Sequence, residues 1–201
     1  RLKEISLREK KEIVVGSVES IKNAHVNAAR LISPVNPPNN LYVKRRLVPI
    51  GELAPLKAIE DTLPADIKKR LPSEQMKFLT SKSTELLQCL WGPMGVSICS
   101  EIVYPRLISR EVRKGATILL NLSNLAWFHN SALNKQVLAA AVFRAVENGR
   151  YLVLSTNTGI SAVIDPAGMV TAVSYPGKRG VLIGPVQFLY KKTPFSKMWW
   201  L

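Results

Sequence analysis

Residues 95–105, GVSICSEIVYP, decide the fold, because an apolar run ends there at a cysteine, Cys99. We predict a buried strand at 94–99 and a helix at 105–114 directly after it. Residues 116–123, ATILLNLS, are apolar on both faces and predict a second buried strand. A strand, a helix and a strand in succession indicate a sheet covered by helices. Cys99 closes the first strand, either as a small core residue or as a nucleophile.

The upstream sequence predicts a short helix followed by strands. Residues 2–12 place three apolar positions among charged ones and are typical of a helix. β-branched residues predict a strand at 12–20, and a second strand follows at 27–34. A turn rich in proline and asparagine at 34–40 leads into 41–52, LYVKRRLVPIGE.

The second half of the chain predicts a long helix and then several strands. The helix spans 131–149, with Ser131 as its N-terminal cap and Gly149 at its end. We predict strands at 151–156, 160–165, 169–174 and near 180–187. This order favours sheets of mixed strand direction that pack on each other by one face and carry helices on the other.

The composition fits one globular domain with a basic surface. Of 201 residues, 47% are hydrophobic, and 28 Lys and Arg against 14 Asp and Glu give a formal charge of +14. This charge favours an anionic partner such as a membrane surface, an acidic protein or nucleic acid. Nucleic-acid binding rests on charge alone, because no RNA-reading or zinc-finger motif accompanies it. Two cysteines and two histidines provide neither a disulfide framework nor a metal site, and no apolar run is long enough to span a membrane.

Residues 53–82 form a long excursion between the regular elements. Prolines and charged residues surround scattered apolar ones there, so we predict a loop with one or two short helices. The chain begins with Arg1 and ends with KMWWL, and we expect it to be a segment of a longer protein. Its aromatic end predicts the start of a juxtamembrane segment at 196–201.

Because histidine is scarce, a lysine or a carboxylate has to activate a cysteine nucleophile in this chain. The segment YVKRRLVPIGE offers both, as Lys44 and Glu52. By itself this pattern is also typical of a basic surface run. The order of motifs in the whole chain decides between these interpretations.

Four motifs follow one another: YVKRRLVPIGELAP, GVSICSEIVYP, GATILLNLSNLAWFHNS and VFRAVENGRYLVLSTNTGISAVIDPAG. In this order the chain resembles the carbon–nitrogen hydrolase (nitrilase) superfamily over about residues 12–195, and within it the apolipoprotein N-acyltransferase branch. The resemblance implies an α+β fold, a four-layer αββα sandwich that is truncated at the N-terminus. It also implies one domain over 1–195, whose arm or lid is the excursion at about 53–82.

The resemblance implies a Glu-Lys-Cys catalytic set without a metal or cofactor. Cys99 matches the nucleophile, Lys44 the catalytic lysine and Glu52 a supporting glutamate. Glu101 matches a glutamate that this branch carries two positions after its cysteine. The Lys44 ammonium and the backbone N–H of Ser100 would hold the oxyanion that forms when Cys99 attacks an acyl carbonyl. The tips of Cys99, Lys44 and Glu52 would lie within about 4–6 Å of one another.

Other positions match the branch less completely. Asn124 and Trp127 match positions that could line the acyl site, although Trp127 also suits a plain core position. The departures are these: Ser100 replaces tyrosine, Arg46 and Val137 replace histidine, and Leu125 replaces aspartate. The Trp-Pro-Glu motif that carries the family's general base does not occur in this sequence, so we expect the chain by itself to be inactive.

The leading interpretation is the periplasmic catalytic domain of a bacterial inner-membrane N-acyltransferase. This family moves a fatty acyl chain from a phospholipid, through a cysteine thioester, to the N-terminal amine of a diacylglyceryl-lipoprotein. The basic charge fits an anionic membrane surface, and we expect no nucleic-acid partner. The alternatives are a soluble amidase of the same superfamily and a catalytically dead domain that binds lipid or a partner.

Overall fold

A computed structural model describes residues 1–21, 24–35, 37, 40–48, 78–83, 85–126, 131–177 and 179–198. Within these ranges two β-sheets pack face to face, and helices pack against them. The predicted arm at 53–82 lies largely outside the described residues, as do residues 199–201 of the predicted juxtamembrane segment.

The small sheet is formed by the N-terminal part of the chain. Helix α1 (Leu2–Glu9) precedes strands β1 (Ile13–Ile21), β2 (Ala24–Ile32) and β3 (Leu41–Val43). The three strands pair antiparallel in the order β1-β2-β3, with Ile13 opposite Ile32 at one end of the first pair. Helix α1 packs against β2 and buries Ser6, whose hydroxyl donates to the Lys11 carbonyl (2.7 Å). The predicted helix and the first two predicted strands are confirmed, the second beginning three residues earlier than expected.

The large sheet holds six strands in chain order. These are β4 (Leu87–Cys89), β5 (Gly92–Ile98), β6 (Ile118–Ser123), β7 (Leu152–Thr156), β8 (Ser161–Ile164) and β9 (Val170–Ser174). The central strands β5, β6 and β7 are parallel, and the outer pairs are antiparallel, so the predicted mixture of strand directions is confirmed. Helices α2 (Pro105–Arg113) and α3 (Leu133–Asn148) make the two crossovers that parallel strands require.

Two apolar clusters hold the layers together. The cluster between the sheets contains Ala29, Leu31, Tyr42, Leu87, Val96 and Leu120. The cluster between the large sheet and its helices includes Ile108, Val112, Leu119, Ala141, Ala145, Leu152 and Leu154. Strand β6 supplies Leu119 to one cluster and Leu120 to the other, since successive side chains of a strand point to opposite faces. This arrangement explains why 116–123 is apolar on both faces.

The ends of some elements differ from the sequence predictions. Helix α3 ends at Gly149 in the left-handed conformation (φ 59°), as predicted. Its N-cap residue is Ala132, which provides no side-chain cap, so the prediction of Ser131 as the cap is wrong. The predicted strand near 180–187 does not form, because no described strand pairs with that stretch.

The described chain ends in a short helix, α4 (Pro194–Lys197), which packs against α2 and α3. Thr193 caps this helix by accepting a hydrogen bond from the Ser196 N–H (3.1 Å). Across the described ranges, no helix combines the length and the apolar character that crossing a bilayer requires.

Candidate active site

Cys99 lies directly after β5 and begins a short 3-10 helix, Cys99–Val103. Its φ of 52° falls in the left-handed region, which residues other than glycine seldom occupy. Backbone held in such a region is strained and tends to occur at functional sites. The residue is partly exposed and forms no disulfide. Partial exposure argues against the core-packing interpretation of Cys99, and its role as nucleophile stays a prediction.

The carboxylate of Glu101 connects the 3-10 helix to the segment that follows β3. It is fully buried and accepts four hydrogen bonds. The donors are the backbone N–H groups of Ile98 (2.7 Å), Arg45 (2.7 Å) and Arg46 (3.0 Å) and the hydroxyl of Tyr42 (2.7 Å). Hydrogen bonds to an ionised acceptor are about twice as strong as those between neutral groups. Glu101 therefore fixes the backbone around Cys99 to the backbone around Lys44.

Lys44 is the first residue after β3 and is fully buried. Its backbone N–H donates to the Asn27 carbonyl of β2 (2.8 Å), and its carbonyl accepts from the Ser81 N–H (3.3 Å). The next residue, Arg45, donates its backbone N–H to Glu101. Two segments that are far apart in the sequence, at positions 44 and 99, are thereby brought to the same place.

Arg45 extends this arrangement to helix α2. Its guanidinium forms an ion pair with Glu111 and lies over the ring of Tyr42, 4.9 Å from the centroid. The side chains of Arg45 and Glu111 are only 9% and 1% exposed. Among the described residues, Nε and Nη2 of Arg45 and Oε2 of Glu111 have no hydrogen-bond partner. We refer to Tyr42, Arg45, Glu101 and Glu111 as the polar cluster.

Burial governs the pKa values in the polar cluster. The pKa of Tyr42 is raised well above its ordinary value, chiefly because burial disfavours the phenolate and also because the Glu101 carboxylate repels it. Burial also raises the pKa of Glu111, although the contact with Arg45 acts in the opposite direction. For Arg45, burial acts to lower the pKa, but the hydrogen bond to Glu111 and the attraction of the neighbouring acidic groups together outweigh it, and the pKa is raised. Tyr42 therefore remains a neutral hydrogen-bond donor, and Arg45 remains a cation.

Asn124 is exposed just beyond the end of β6, and a second asparagine fixes its side chain. Its Oδ1 accepts from Nδ2 of Asn157 (2.8 Å) and from the Ala126 N–H (3.1 Å). Oδ1 of Asn157 in turn accepts from the Leu125 N–H (3.0 Å). Asn157 lies in the turn directly after β7, and no individual role was predicted for it from the sequence.

Two cavities lie at the carboxyl ends of the parallel strands. One, of about 420 Å³, lies between the β1–β2 hairpin and the ends of β5, β6 and β7, and its lining includes Ile98 and Asn124. The other, of about 440 Å³, lies beside β7 and β8, and its lining includes Tyr175 and Arg179. Asn157 lines both. Cys99 and Lys44 line neither cavity, but Ile98 directly precedes Cys99. The carboxyl ends of parallel strands are where open α/β sheets generally bind ligands.

Three predicted site residues remain, and the structure describes one of them. Ser100 is partly exposed within the 3-10 helix. Glu52 and Trp127 lie outside the described residues. The predicted convergence of Glu52 on Cys99 and Lys44 therefore stays a prediction.

Two of the departures from the family pattern lie in the core. Leu125 and Val137, at positions where the branch usually has aspartate and histidine, are 1% and 6% exposed. Both belong to the apolar cluster between the large sheet and its helices. Both side chains therefore contribute to core packing in this chain.

No role was predicted from the sequence for three members of the polar cluster: Tyr42, Arg45 and Glu111. The basic run around Arg45 favours a solvated surface, and its partner Glu111 is 66 positions away. One signal was available for Glu111, which lies three positions after the apolar Ile108 and thus on the buried face of α2.

Comparisons with known proteins agree with this architecture. The carbon-nitrogen hydrolase family profile matches residues 1–191. The chain belongs to the carbon–nitrogen hydrolase family.

Its curated relatives include the apolipoprotein N-acyltransferase of Geobacter metallireducens, which is 32% identical over 194 residues. The alignment covers 93% of this chain and 36% of that relative, so the chain spans about a third of its length.

Solved structures show the same fold at low sequence identity. A carbon–nitrogen hydrolase from Helicobacter pylori G27 superimposes with a TM-score of 0.68 at 16% identity, covering 90% of this chain and 63% of that one. An amidase from Nesterenkonia sp. superimposes with a TM-score of 0.67 at 17% identity, covering 98% and 67%. These matches confirm the predicted nitrilase-like α+β sandwich.

Proposed function

We propose that this chain is the catalytic domain of an apolipoprotein N-acyltransferase. In this proposal Cys99 carries a fatty acyl group from a phospholipid to the N-terminal amine of a diacylglyceryl-lipoprotein. The observation that carries the proposal is the Glu101 carboxylate, which binds the backbone beside Lys44 and the backbone beside Cys99 together. The name of the Geobacter relative supports the same activity.

The first half-reaction forms a thioester. Sγ of Cys99 attacks the carbonyl carbon of a phospholipid ester, the C–S bond forms, and the ester C–O bond breaks. The thiol proton goes to the alcohol of the lysophospholipid that leaves. The Lys44 ammonium and the Ser100 N–H stabilise the oxyanion, and one preorganised donor of this kind contributes about 3–4 kcal/mol. Glu52 fixes the position and the charge of Lys44.

The second half-reaction transfers the acyl group. The neutral N-terminal amine of the lipoprotein attacks the thioester carbon, the N–C bond forms and the C–S bond breaks. The proton that the amine loses returns to the thiolate of Cys99. Asn124 lines the cavity that Ile98, the residue before Cys99, also lines. In this proposal it orients the incoming substrate.

The proposal includes contact with an anionic membrane, on the extracytoplasmic face of the bacterial inner membrane. Large apolar side chains are exposed along the stretch after β9, with Val181 89%, Ile183 86% and Tyr190 71% exposed. Basic residues flank this stretch: Arg179, Lys191 and Lys192. Exposed apolar groups beside basic ones suit a surface with anionic headgroups, and the formal charge of +14 acts in the same direction.

Mass spectrometry tests the proposal directly. The full-length gene product is incubated with phospholipid vesicles and digested with a protease. The mass of each cysteine-containing peptide is then measured. We expect one acyl chain on the Cys99 peptide and none after Cys99→Ala. Cys89→Ser is the matched control and should keep the modification, because burial raises the pKa of Cys89 and its thiol donates to the Gly92 carbonyl (2.6 Å). Acylation at Cys89, or at neither cysteine, would contradict the proposal.

A soluble amidase is the second candidate, favoured by the superposition on the Nesterenkonia amidase over 98% of the chain. The two functions differ in the acceptor, since an amidase passes the acyl group of an amide to water. Release of ammonia from small amides, without a phospholipid-derived acyl group on Cys99, would identify the amidase.

A further inference from the structure

Asn121 is a polar residue in a strand that is otherwise almost entirely apolar. It lies in the middle of β6, ILLNLS, and is fully buried. Burying a side-chain amide is unfavourable unless its donors and acceptor are hydrogen-bonded. The partners of this amide therefore indicate its role.

The amide of Asn121 connects β5, β6 and the 3-10 helix. Its Nδ2 donates to Oγ of Ser97 (2.9 Å) and to the backbone carbonyl of Cys99 (3.3 Å). Its Oδ1 accepts from Oγ of Ser123 (2.7 Å). Because a carbonyl only accepts, the contact with Cys99 requires the nitrogen end of the amide to face it.

The carbonyl of Cys99 and the N–H of Ser100 belong to the same peptide unit. In a trans peptide these two groups point in opposite directions, and the described chain has no cis peptide bond. A side chain that holds the carbonyl on the buried side therefore turns the N–H to the opposite side. Such a constraint matters here because Cys99 has a left-handed φ of 52°, a conformation that the surroundings must maintain.

We propose that Asn121 is a positioning residue that keeps the Ser100 N–H aimed at the oxyanion formed on attack by Cys99. Rotation of this peptide would present the carbonyl in place of the donor and would remove the stabilisation. The inference rests on the proposed function in one respect, namely that Cys99 attacks an acyl carbonyl. The proposal gives the buried strand β6 a role in the chemistry, and the apolar composition of the strand does not predict that role.

Two reactions of the same thiol test this role. Alkylation of Cys99 by iodoacetamide forms no oxyanion, whereas acylation by a p-nitrophenyl fatty acyl ester forms one and releases p-nitrophenolate. Both products are measured on the Cys99 peptide of the full-length gene product by mass spectrometry. For Asn121→Leu we expect acylation to fall about 100-fold, while the rate of alkylation and its pH midpoint stay at the wild-type values.

Ser97→Ala is the matched control, since it removes the other acceptor of Nδ2 and leaves the Cys99 contact in place. It should keep both reactions. Alkylation of the half-buried Cys89 reports folding in the same samples, and Asn121→Ser provides a second variant if Asn121→Leu unfolds.

Unchanged acylation in the Asn121 variants would overturn the inference. A parallel fall of acylation and alkylation in folded protein would also overturn it, because that result indicates a general distortion around Cys99. The activated ester keeps this test separate from the proposed function. If the wild type reacts with the ester but takes no acyl group from phospholipid, the acyltransferase proposal fails and the role of Asn121 is still decided.

Discussion

Two arginine–glutamate pairs in this chain have the same chemistry and different surroundings. In the small sheet, Arg30 donates to Glu19 through two hydrogen bonds of 2.6 and 3.0 Å, and the side chains are 40% and 22% exposed. In the polar cluster, Arg45 pairs with Glu111, and the side chains are 9% and 1% exposed. The hydrogen bond from Arg30 lowers the pKa of Glu19, whereas burial raises the pKa of Glu111 despite its arginine.

The contrast shows that the loss of hydration decides what an ion pair contributes. A carboxylate near the surface keeps much of its hydration, so the attraction to arginine determines its pKa. A buried carboxylate loses nearly all of its hydration, and the pair then serves mainly to compensate charges that are already inside. The exposed pair should therefore be dispensable. Removing one partner of the buried pair should be costly, because the other charge is then left in the interior without compensation.

The largest effect should come from breaking the buried pair on one side. Arg45→Met leaves the Glu111 carboxylate buried without its paired cation, and we expect a loss of about 3–5 kcal/mol in the free energy of unfolding. Replacing both partners, as Arg45→Met with Glu111→Leu, removes both charges and should restore most of that stability. Urea denaturation measures Arg45→Met, Glu111→Leu and the double variant, with Glu19→Gln as the exposed control. A double variant whose loss equals the sum of the single losses would refute this account.

Acid titration of the same variants gives a second readout. The raised pKa of Glu111 means that the folded state binds this proton more tightly than the unfolded state. Its contribution to stability is fully present below about pH 4.3, the ordinary glutamate value, and is lost as the pH rises through the folded pKa. Replacing Glu111 should remove that falling component from the pH profile of stability, and a profile that keeps it would assign it to another group.

An intermediate effect should follow from Glu101, which is as buried as Glu111 but accepts from backbone N–H groups and a phenol. Glutamine has one accepting oxygen, so Glu101→Gln turns an NH₂ group toward one of the two donor pairs. We expect a loss of about 1–3 kcal/mol in the free energy of unfolding. Acylation of Cys99 should nevertheless fall further than in Glu111→Gln, since Glu101 binds the backbone beside Cys99 itself. Equal acylation in both variants would show that charge pairing, rather than these hydrogen bonds, maintains the site.

Local patterns in the sequence were enough to predict the elements that carry the site. The predicted strand at 94–99 corresponds to Gly92–Ile98, and the predicted helix at 105–114 to Pro105–Arg113. Gly149 ends α3 as expected, because glycine adopts the left-handed conformation that terminates a helix. The bounds of these strands and helices depend on residues that are neighbours in the sequence, so the periodic pattern of apolar residues predicts them. The strand expected near 180–187 depended on a partner strand, which periodicity does not specify.

The polar cluster depends on contacts that no local pattern contains. The hydrogen bond from Tyr42 to Glu101 spans 59 positions, and the ion pair from Arg45 to Glu111 spans 66. Glu101 entered the sequence analysis only through the family resemblance, and the left-handed backbone of Cys99 had no signal at all. A basic run such as KRR is normally solvated, so only the tertiary structure shows that Lys44 and Arg45 are buried.

The smallest effect should come from the exposed pair, and it sharpens the comparison most directly. A double-mutant cycle with Arg30→Met and Glu19→Gln should give a coupling energy of about 0.2–1 kcal/mol, measured by urea denaturation. Because Glu19 has a lowered pKa in the folded state, this coupling is fully present above about pH 4.3 and is lost as the pH falls through the folded value. Stability thus rises with pH on account of Glu19 and falls with pH on account of Glu111. Added salt should weaken the exposed coupling and leave the buried one nearly unchanged, since ions screen solvent-exposed charges far more than buried ones. If the coupling energy between Arg30 and Glu19 stays the same at low pH and at high salt, exposure to water does not explain the difference between the two pairs. Hydrogen-bond geometry would then set their contributions to stability.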